Sequence, residues 1–291
     1  MNQFEGATCI VTGANTGIGK AAATEIARMG ARVVMVCRSR ERGRQALVEV
    51  CQESGSSTVD LVVADLSRPA TVRTLAQKLS GAYPQIDVLI NNAGLYRSRR
   101  ELTDDGLEMT FAVNHLAYFT LTLCLLDTLR QSAPARVVNV ASGAHRGARM
   151  HFDDLQGERK YRGMRAYGQS KLANLLFTFE LARRLEGSGV TANALHPGTV
   201  ASEFGRKGNG AFSLLFSVGK PMMKSPEEGA QTVVHLATSP DLDGITGGYY
   251  VNEKPARSST ESQNLDAAAR LWSESLLLAG FEEDPLPATP A

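Results

Sequence analysis

No apolar run in the 291-residue sequence reaches the roughly 18 to 20 residues that a membrane-crossing helix requires, and its opening, MNQFEGATCIVTGA, lacks a basic-then-apolar leader pattern. A soluble, cytoplasmic protein with no transmembrane segment is expected. Cysteine is scarce: Cys9, Cys37, Cys51 and Cys124 are dispersed through apolar or helical stretches. That distribution argues against a disulfide framework and suits reduced thiols. Charge of one sign is also lacking, because the formal net charge is +1 with acidic and basic residues interspersed. Nothing in it resembles an electrostatic footprint for nucleic acid. His145, His151 and His196 belong to no His/Cys/Asp cluster with ligand spacing, so no metal site is expected. Ser142 stands in Val140-Ala141-Ser142-Gly143-Ala144 rather than in Gly-x-Ser-x-Gly, which argues against acyl transfer. No linker-like stretch interrupts the middle of the chain. One domain over residues 4–280 is expected, followed by an acidic, Pro-rich mobile tail, 281–291.

What is present alternates. Short runs rich in Val and Ile, at Ala7 to Thr12, Arg32 to Cys37, Val59 to Val63, Asp87 to Asn91, Arg136 to Ala141, Thr191 to Leu195 and Gly248 to Val251, read as strands. Helical patterns lie between them, at Ile18 to Met29, Arg40 to Glu53, Ala70 to Leu79, Leu107 to Arg130, Met164 to Glu186 and Pro226 to Thr238. Several strands are almost wholly apolar, so both sheet faces must be covered. The fold class is therefore α/β: a single-domain, Rossmann-type, doubly wound parallel sheet of about seven strands with helices on both faces. Two stretches break the repeat, an insertion from Gly143 to Gly163 and a loop, Thr199 to Ser225, whose apolar patch Phe212 to Phe216 reads as a lid over an apolar substrate, an oligomer contact or a membrane foothold. A further helix, Leu265 to Leu278, carries Leu265, Leu271, Trp272, Leu276 and Leu278 for packing on the domain or on a neighbouring subunit.

Ligands in such sheets bind beyond the carboxyl ends of the strands. After the first strand comes Thr12-Gly13-Ala14-Asn15-Thr16-Gly17-Ile18-Gly19, whose glycines allow a tight turn and close approach of a pyrophosphate to a helix N-terminus. The second strand ends at Arg38 where a carboxylate would normally hold the ribose hydroxyls of NAD. An arginine fork there suits a 2′-phosphate, so NADP(H) is expected ahead of NAD(H). Asp65-Leu66 and Asn92-Ala93-Gly94 end the third and fourth strands on the same edge, although Asp65 could equally cap a turn and the Asn91-Asn92 pair could stabilise one.

Tyr167 and Lys171 lie four residues apart on one helix face, which brings a phenol and an ammonium toward a shared ligand. A fixed cation favours the phenolate, so Tyr167 could protonate a carbonyl as hydride arrives or accept the proton in the oxidative direction. Ser142, at the end of the fifth strand, could hydrogen-bond the substrate oxygen. Asn114 is polar within an apolar helix, and a water linking its amide to Lys171 would satisfy it.

Through TGANTGIG, NNAG, the Asn114 segment, Ser142, YGQSK and His196-Pro197-Gly198, the chain resembles the short-chain dehydrogenases/reductases over nearly its whole length. CRS, DGLEMTFAVNHLAYF, FDDLQ and AYGQSKLANLLFTFELARRL are similar to the retinol dehydrogenases and related NADP-linked reductases. The resemblance implies a catalytic group of Ser142, Tyr167 and Lys171 with Asn114 completing the proton relay. It implies too that Lys171 holds the nicotinamide ribose, that Asp65 lies by the adenine, and that Pro197, Gly198 and Thr199 pass the carboxamide. An aldehyde, ketone or alcohol substrate and a homodimer or homotetramer are implied in the same way, with the membrane-anchored relatives leaving a monomer open; the apolar character of the substrate follows instead from the lid reading of Phe212 to Phe216. Two other readings share the fold: a dinucleotide-binding regulatory protein without turnover, and a nucleotide-sugar epimerase or dehydratase, which the Gly13, Gly17, Gly19 spacing and the short chain disfavour.

Overall fold

A computed structural model of the chain describes residues 4–200 and 224–286. Eight strands form one sheet in the order β3-β2-β1-β4-β5-β6-β7-β8. They are β1 (Thr8–Thr12), β2 (Arg32–Cys37), β3 (Val59–Val63), β4 (Val88–Asn91), β5 (Ala135–Val140), β6 (Val190–His196), β7 (Tyr249–Val251) and β8 (Lys254–Pro255). The first seven pair in parallel, and β8 returns antiparallel to β7. From β1 the chain winds outward through β2 and β3, then crosses back to β4 on the other side of β1. The reversal of strand order at β1 and β4 opens the crevice in which ligands of such sheets sit.

Alternation along the strands explains why both faces carry helices. Cys9 and Val11 belong to one apolar cluster with Val33, Met35, Ile26 and Val233, whereas Ile10 belongs to another with Val34, Leu89, Leu121 and Phe177. Successive side chains point to opposite faces, and both sets are buried. The first cluster is roofed by α1 (Gly17–Arg28), α2 (Arg40–Ser54) and α8 (Pro226–Thr238); α3 (Pro69–Ala82), α5 (Ala117–Cys124), α6 (Leu126–Gln131) and α7 (Gly163–Arg184) contribute side chains to the second. The last helix, α9 (Leu265–Ala279), packs within the chain, and its Trp272 stands edge-on to Phe119 with ring centroids 5.1 Å apart.

Two expectations are corrected and one, the strand count, is refined. The single helix anticipated from Leu107 to Arg130 is instead a short α4 (Met109–Phe111), a π-helical turn (Ala112–Leu116), α5 and α6. The π turn lies where Asn114 bonds to two other segments, so tertiary partners override the regular helical register. The seven expected strands are all present, and an eighth is added because the Asn252-Glu253 turn, both residues in the left-handed region (φ 51° and 63°), folds a two-residue strand back on β7. Pro255 is tolerated there because an edge strand needs no donor on its outer side. Residues 281–286, anticipated as part of a mobile tail, are docked: Leu286 is buried, and Asp284 Oδ2 accepts from Trp272 Nε1 at 2.8 Å and from Arg184 Nη1 at 2.8 Å. The apolar patch Phe212 to Phe216 lies outside the described residues. No helix among the described residues is long and apolar enough to cross a membrane.

Candidate active site

The crevice is built from the strand ends inward. At the end of β1 the chain turns through Gly13, whose φ of +67° suits glycine, and enters α1 at Gly17, with φ +58°. Close packing adds a second requirement. A Cβ on Gly19 would lie 2.4 Å from Asn92 Nδ2 and 2.5 Å from the Gly13 carbonyl oxygen. Thr12 Oγ1 accepts from the backbone of Asn92 at 2.9 Å and of Ala93 at 3.1 Å, while Asn92 Nδ2 donates to the Thr12 carbonyl at 2.8 Å. The glycine turn and the Asn92-Ala93-Gly94 segment therefore form one cradle. Beneath it Asn91 and Asn139, register partners on β4 and β5, are joined by Asn91 Nδ2 donating to Asn139 Oδ1 at 2.9 Å, and Asn139 Nδ2 donates onward to Thr178 Oγ1 on α7 at 2.9 Å. This buried polar ladder ties the floor of the crevice to the helix carrying Tyr167 and Lys171.

The resulting pocket encloses about 500 Å³. Arg38, Asp65 and Leu66 stand at one end, Gly13 to Gly19 and Asn92 to Gly94 along the middle, and Ser142, Tyr167, Lys171, Pro197, Gly198 and Thr199 at the other. Asn15, Thr16 and Ile18 line it as well, so every anticipated site residue except Asn114 reaches the wall. Asn114 is fully buried behind it. Its Oδ1 accepts from Leu95 N at 2.7 Å, and its Nδ2 donates to the Leu95 carbonyl at 2.9 Å and to Ser170 Oγ at 3.0 Å. Asp65 adopts the turn-capping alternative, its Oδ1 accepting from Ser67 N at 2.9 Å, while still facing the pocket.

The features of the wall fit a phosphorylated dinucleotide. No acidic residue lies in the first turn of α1 and no side chain caps it, leaving its N–H groups available to an anion. At the opposite end Arg38 is joined by Arg42, to which the sequence analysis gave no role. Ser39 caps α2 by accepting from Arg42 N, so the strand end and the first helical turn bring both guanidinium-bearing residues to one wall.

At the end lined by Ser142, Tyr167 and Lys171 burial dominates. Lys171 is 3% exposed, donates to the Val140 carbonyl at 2.8 Å, and lies 5.6 Å and 5.9 Å from the ring centroids of Tyr118 and Tyr167. Loss of hydration brings its ammonium down to about 7. Burial likewise pushes the Tyr167 phenol up to about 12, opposed by its hydrogen bond to the Ser142 side chain. The balance differs from the one read from sequence, in which Lys171 lowers the phenol. His145 supports the Ser142 turn: its Nδ1 lies 2.6 Å from the Ser142 carbonyl and its Nε2 accepts from Ser259 N at 3.2 Å, an arrangement that places the proton on Nδ1. The wall also includes Leu95, Tyr96, Arg97, Val113, Met164 and His196, none of which the sequence reading assigned to a pocket. They come from the loop after β4, the π turn, the start of α7 and the end of β6, which meet only in the fold.

The short chain dehydrogenase family model matches residues 7–210. Retinol dehydrogenase 12 of Mus musculus is 44% identical over 96% of this chain and 88% of its own length. An uncharacterized protein of Mycobacterium paratuberculosis has a solved structure that is 34% identical, covers 98% of this chain and 96% of its own, and superposes with a TM-score of 0.79. The RhlG/NADP active-site complex of Pseudomonas aeruginosa is 29% identical over 85% of this chain and 95% of its own, with a TM-score of 0.69. With the glycine cradle and the Tyr167–Lys171 helix in the matched span, the chain belongs to the short chain dehydrogenase family and is an oxidoreductase acting on CH–OH or C=O groups.

Proposed function

We propose that the chain transfers hydride between NADP(H) and a lipophilic aldehyde or ketone, or the corresponding alcohol, with Tyr167 as proton donor or acceptor. The observation that carries this reading is the convergence of Ser142, Tyr167 and Lys171 at one end of the pocket whose other end holds Arg38 and Arg42. The glycine cradle and the α1 N-terminus would hold the pyrophosphate, Arg38 and Arg42 the 2′-phosphate, Asp65 and Leu66 the adenine edge, Lys171 the nicotinamide ribose, and Pro197 to Thr199 the carboxamide. The nicotinamide, when bound, supplies or receives the hydride. Ser142 holds the substrate oxygen by a hydrogen bond, and the Tyr167 hydroxyl delivers its proton to that oxygen in reduction or takes one in oxidation. Lys171, in its protonated form, lowers the cost of the phenolate left behind. Asn114 locks the Leu95 loop to Ser170, one residue before Lys171, and so keeps the group in register.

The NADP-bound relative supports the cofactor, and the retinol dehydrogenase relative supports a lipophilic substrate. Titration with NADPH and NADH, followed by a screen of aldehydes, ketones, retinal and steroids for loss of reduced-nicotinamide absorbance, tests the reading. Tighter binding of NADPH with turnover of a lipophilic carbonyl is expected; failure to bind either nucleotide would overturn it.

A further inference from the structure

The substrate wall contains one charged group that hydride transfer does not use. Arg97 lines the pocket beyond Tyr96, whose ring stands edge-on to that of Tyr167 with centroids 6.3 Å apart. Its side chain is 28% exposed. Nε donates to Glu101 Oε2 at 2.6 Å, an ion pair, and Nη1 to the Tyr96 carbonyl at 3.3 Å, while Nη2 donates no hydrogen bond among the described residues. A guanidinium oriented on two of its nitrogens thus keeps the third available.

The backbone beneath it is fixed rather than loose. Tyr161 Oη lies 3.1 Å from the Arg97 carbonyl and 3.0 Å from Glu108 Oε1, and the buried Glu108 carboxylate accepts from the backbone of Thr110 and Phe111 at 2.9 and 2.7 Å. Gly163 presses on the same carbonyl so closely that a Cβ would meet it at 2.5 Å. Such support holds a binding group in place before its ligand arrives.

The surroundings share its sign. Arg100 is bonded to the Gln156 carbonyl at 2.8 Å and paired with Glu158 at 3.5 Å, which joins the loop after Arg97 to the segment leading into α7. On these two joined segments Arg99, Arg159, Lys160 and Arg162 are exposed and have no ion pair among the described residues. Cations exposed on the segment that carries Arg97 and on the segment joined to it raise the local concentration of anions there. Leu95, Val113, Met164 and the Tyr96 ring meanwhile offer apolar wall between Arg97 and Tyr167.

From this arrangement we infer that the physiological substrate is amphiphilic, with a carbonyl or alcohol at one end, an apolar chain, and a carboxylate or similar anion at the other end held by Arg97. The inference rests on the oxidoreductase reading above and narrows its substrate class. A charge-assisted hydrogen bond of this kind corresponds to about a tenfold to hundredfold preference over a neutral acceptor.

The experiment compares kcat/KM with NADPH for nonanal, azelaic semialdehyde and the methyl ester of that semialdehyde. The acid should exceed its ester by about tenfold or more, with the difference in KM and shrinking as salt rises. Arg97→Met should bring the acid-to-ester ratio close to one, Arg97→Lys should retain part of it, and Arg99→Gln with Arg162→Gln should flatten the salt dependence. Equal use of acid and ester by the unaltered protein overturns the inference alone, as does a preference that survives Arg97→Met. Turnover of none of the three counts against the enzymatic reading instead. Calorimetric titration of nonanoate and methyl nonanoate into the NADPH-loaded protein then decides the binding claim: tighter nonanoate binding that Arg97→Met removes supports it, and equal binding overturns it.

Discussion

Lys171 Nζ donates to the carbonyl oxygen of Val140 at 2.8 Å, so the ammonium carried by α7 is fastened to the end of β5 two residues before Ser142. This bond orients the side chain in a setting that disfavours its charge. Lys171→Met removes that conflict together with the function. Because burial lowers the folded-state value to about 7 against an ordinary 10.5, the unfolded chain binds the extra proton between those limits. Stability therefore falls as pH decreases from about 10 to 7. The variant should be inactive yet more resistant to urea than the unaltered protein at pH 7, with the gap closing toward pH 10. Chemical denaturation at four pH values checks this, and a gap that widened with pH would refute the assigned burial effect.

Tyr167→Phe keeps the ring and removes the proton. Turnover should drop by about 100- to 10,000-fold, while NADPH binding, followed by fluorescence, should stay within a small factor of its original strength. Undiminished turnover would reassign the proton donor to another group.

Cofactor choice tests the other end of the pocket. Arg38→Asp replaces a donor fork by a carboxylate at the end of β2, so NADPH should weaken by about tenfold to hundredfold and NADH should gain relative to it. Arg42→Gln should act in the same direction by a smaller amount. Kd values for both nucleotides decide the matter, and an unchanged NADPH-to-NADH ratio in both variants would move the phosphate site elsewhere.

Asp284 gathers Trp272 Nε1, Arg184 Nη1 and the backbone N–H of Leu286, the last at 2.9 Å. Asp284→Ala leaves part-buried donors unmet and should cost about 1–3 kcal/mol. Since Trp272 is the only tryptophan in the sequence, its emission reports directly on this joint. A lower urea midpoint accompanied by a red-shifted native spectrum is expected; an unaltered spectrum and midpoint would show that the segment is not docked in solution.

The parts of the molecule legible in sequence are those whose cause is local. The glycine turn after β1 needs particular backbone angles and close approach, and both leave glycines behind at fixed spacing. Tyr167 and Lys171 share a face because helical geometry alone puts them there. The substrate wall was not legible, because Leu95, Tyr96, Arg97 and Met164 meet only after the loop following β4 is pinned by Asn114 and Tyr161. The terminal segment misled for the same reason: its acidic, Pro-rich composition suits a free tail, whereas Asp284 finds Arg184 a hundred positions away. The π turn left no compositional mark, since AVNHL is as acceptable in an α-helix as in the wider turn.

That wider turn has a bearing on how the chain can change. It accommodates Ala112–Leu116 by closing on the fifth residue rather than the fourth, and the helix resumes at Ala117 in its ordinary form. Removing Ala112 or Val113 would let the backbone close as a regular turn while swinging Asn114 by about 100° around the axis relative to the preceding turn, away from Leu95 and Ser170. Its apolar members could be exchanged for similar ones at modest cost, but its length could not be shortened. In this stretch of the molecule the information lies in the number of residues, and a deletion is a more severe edit than a substitution.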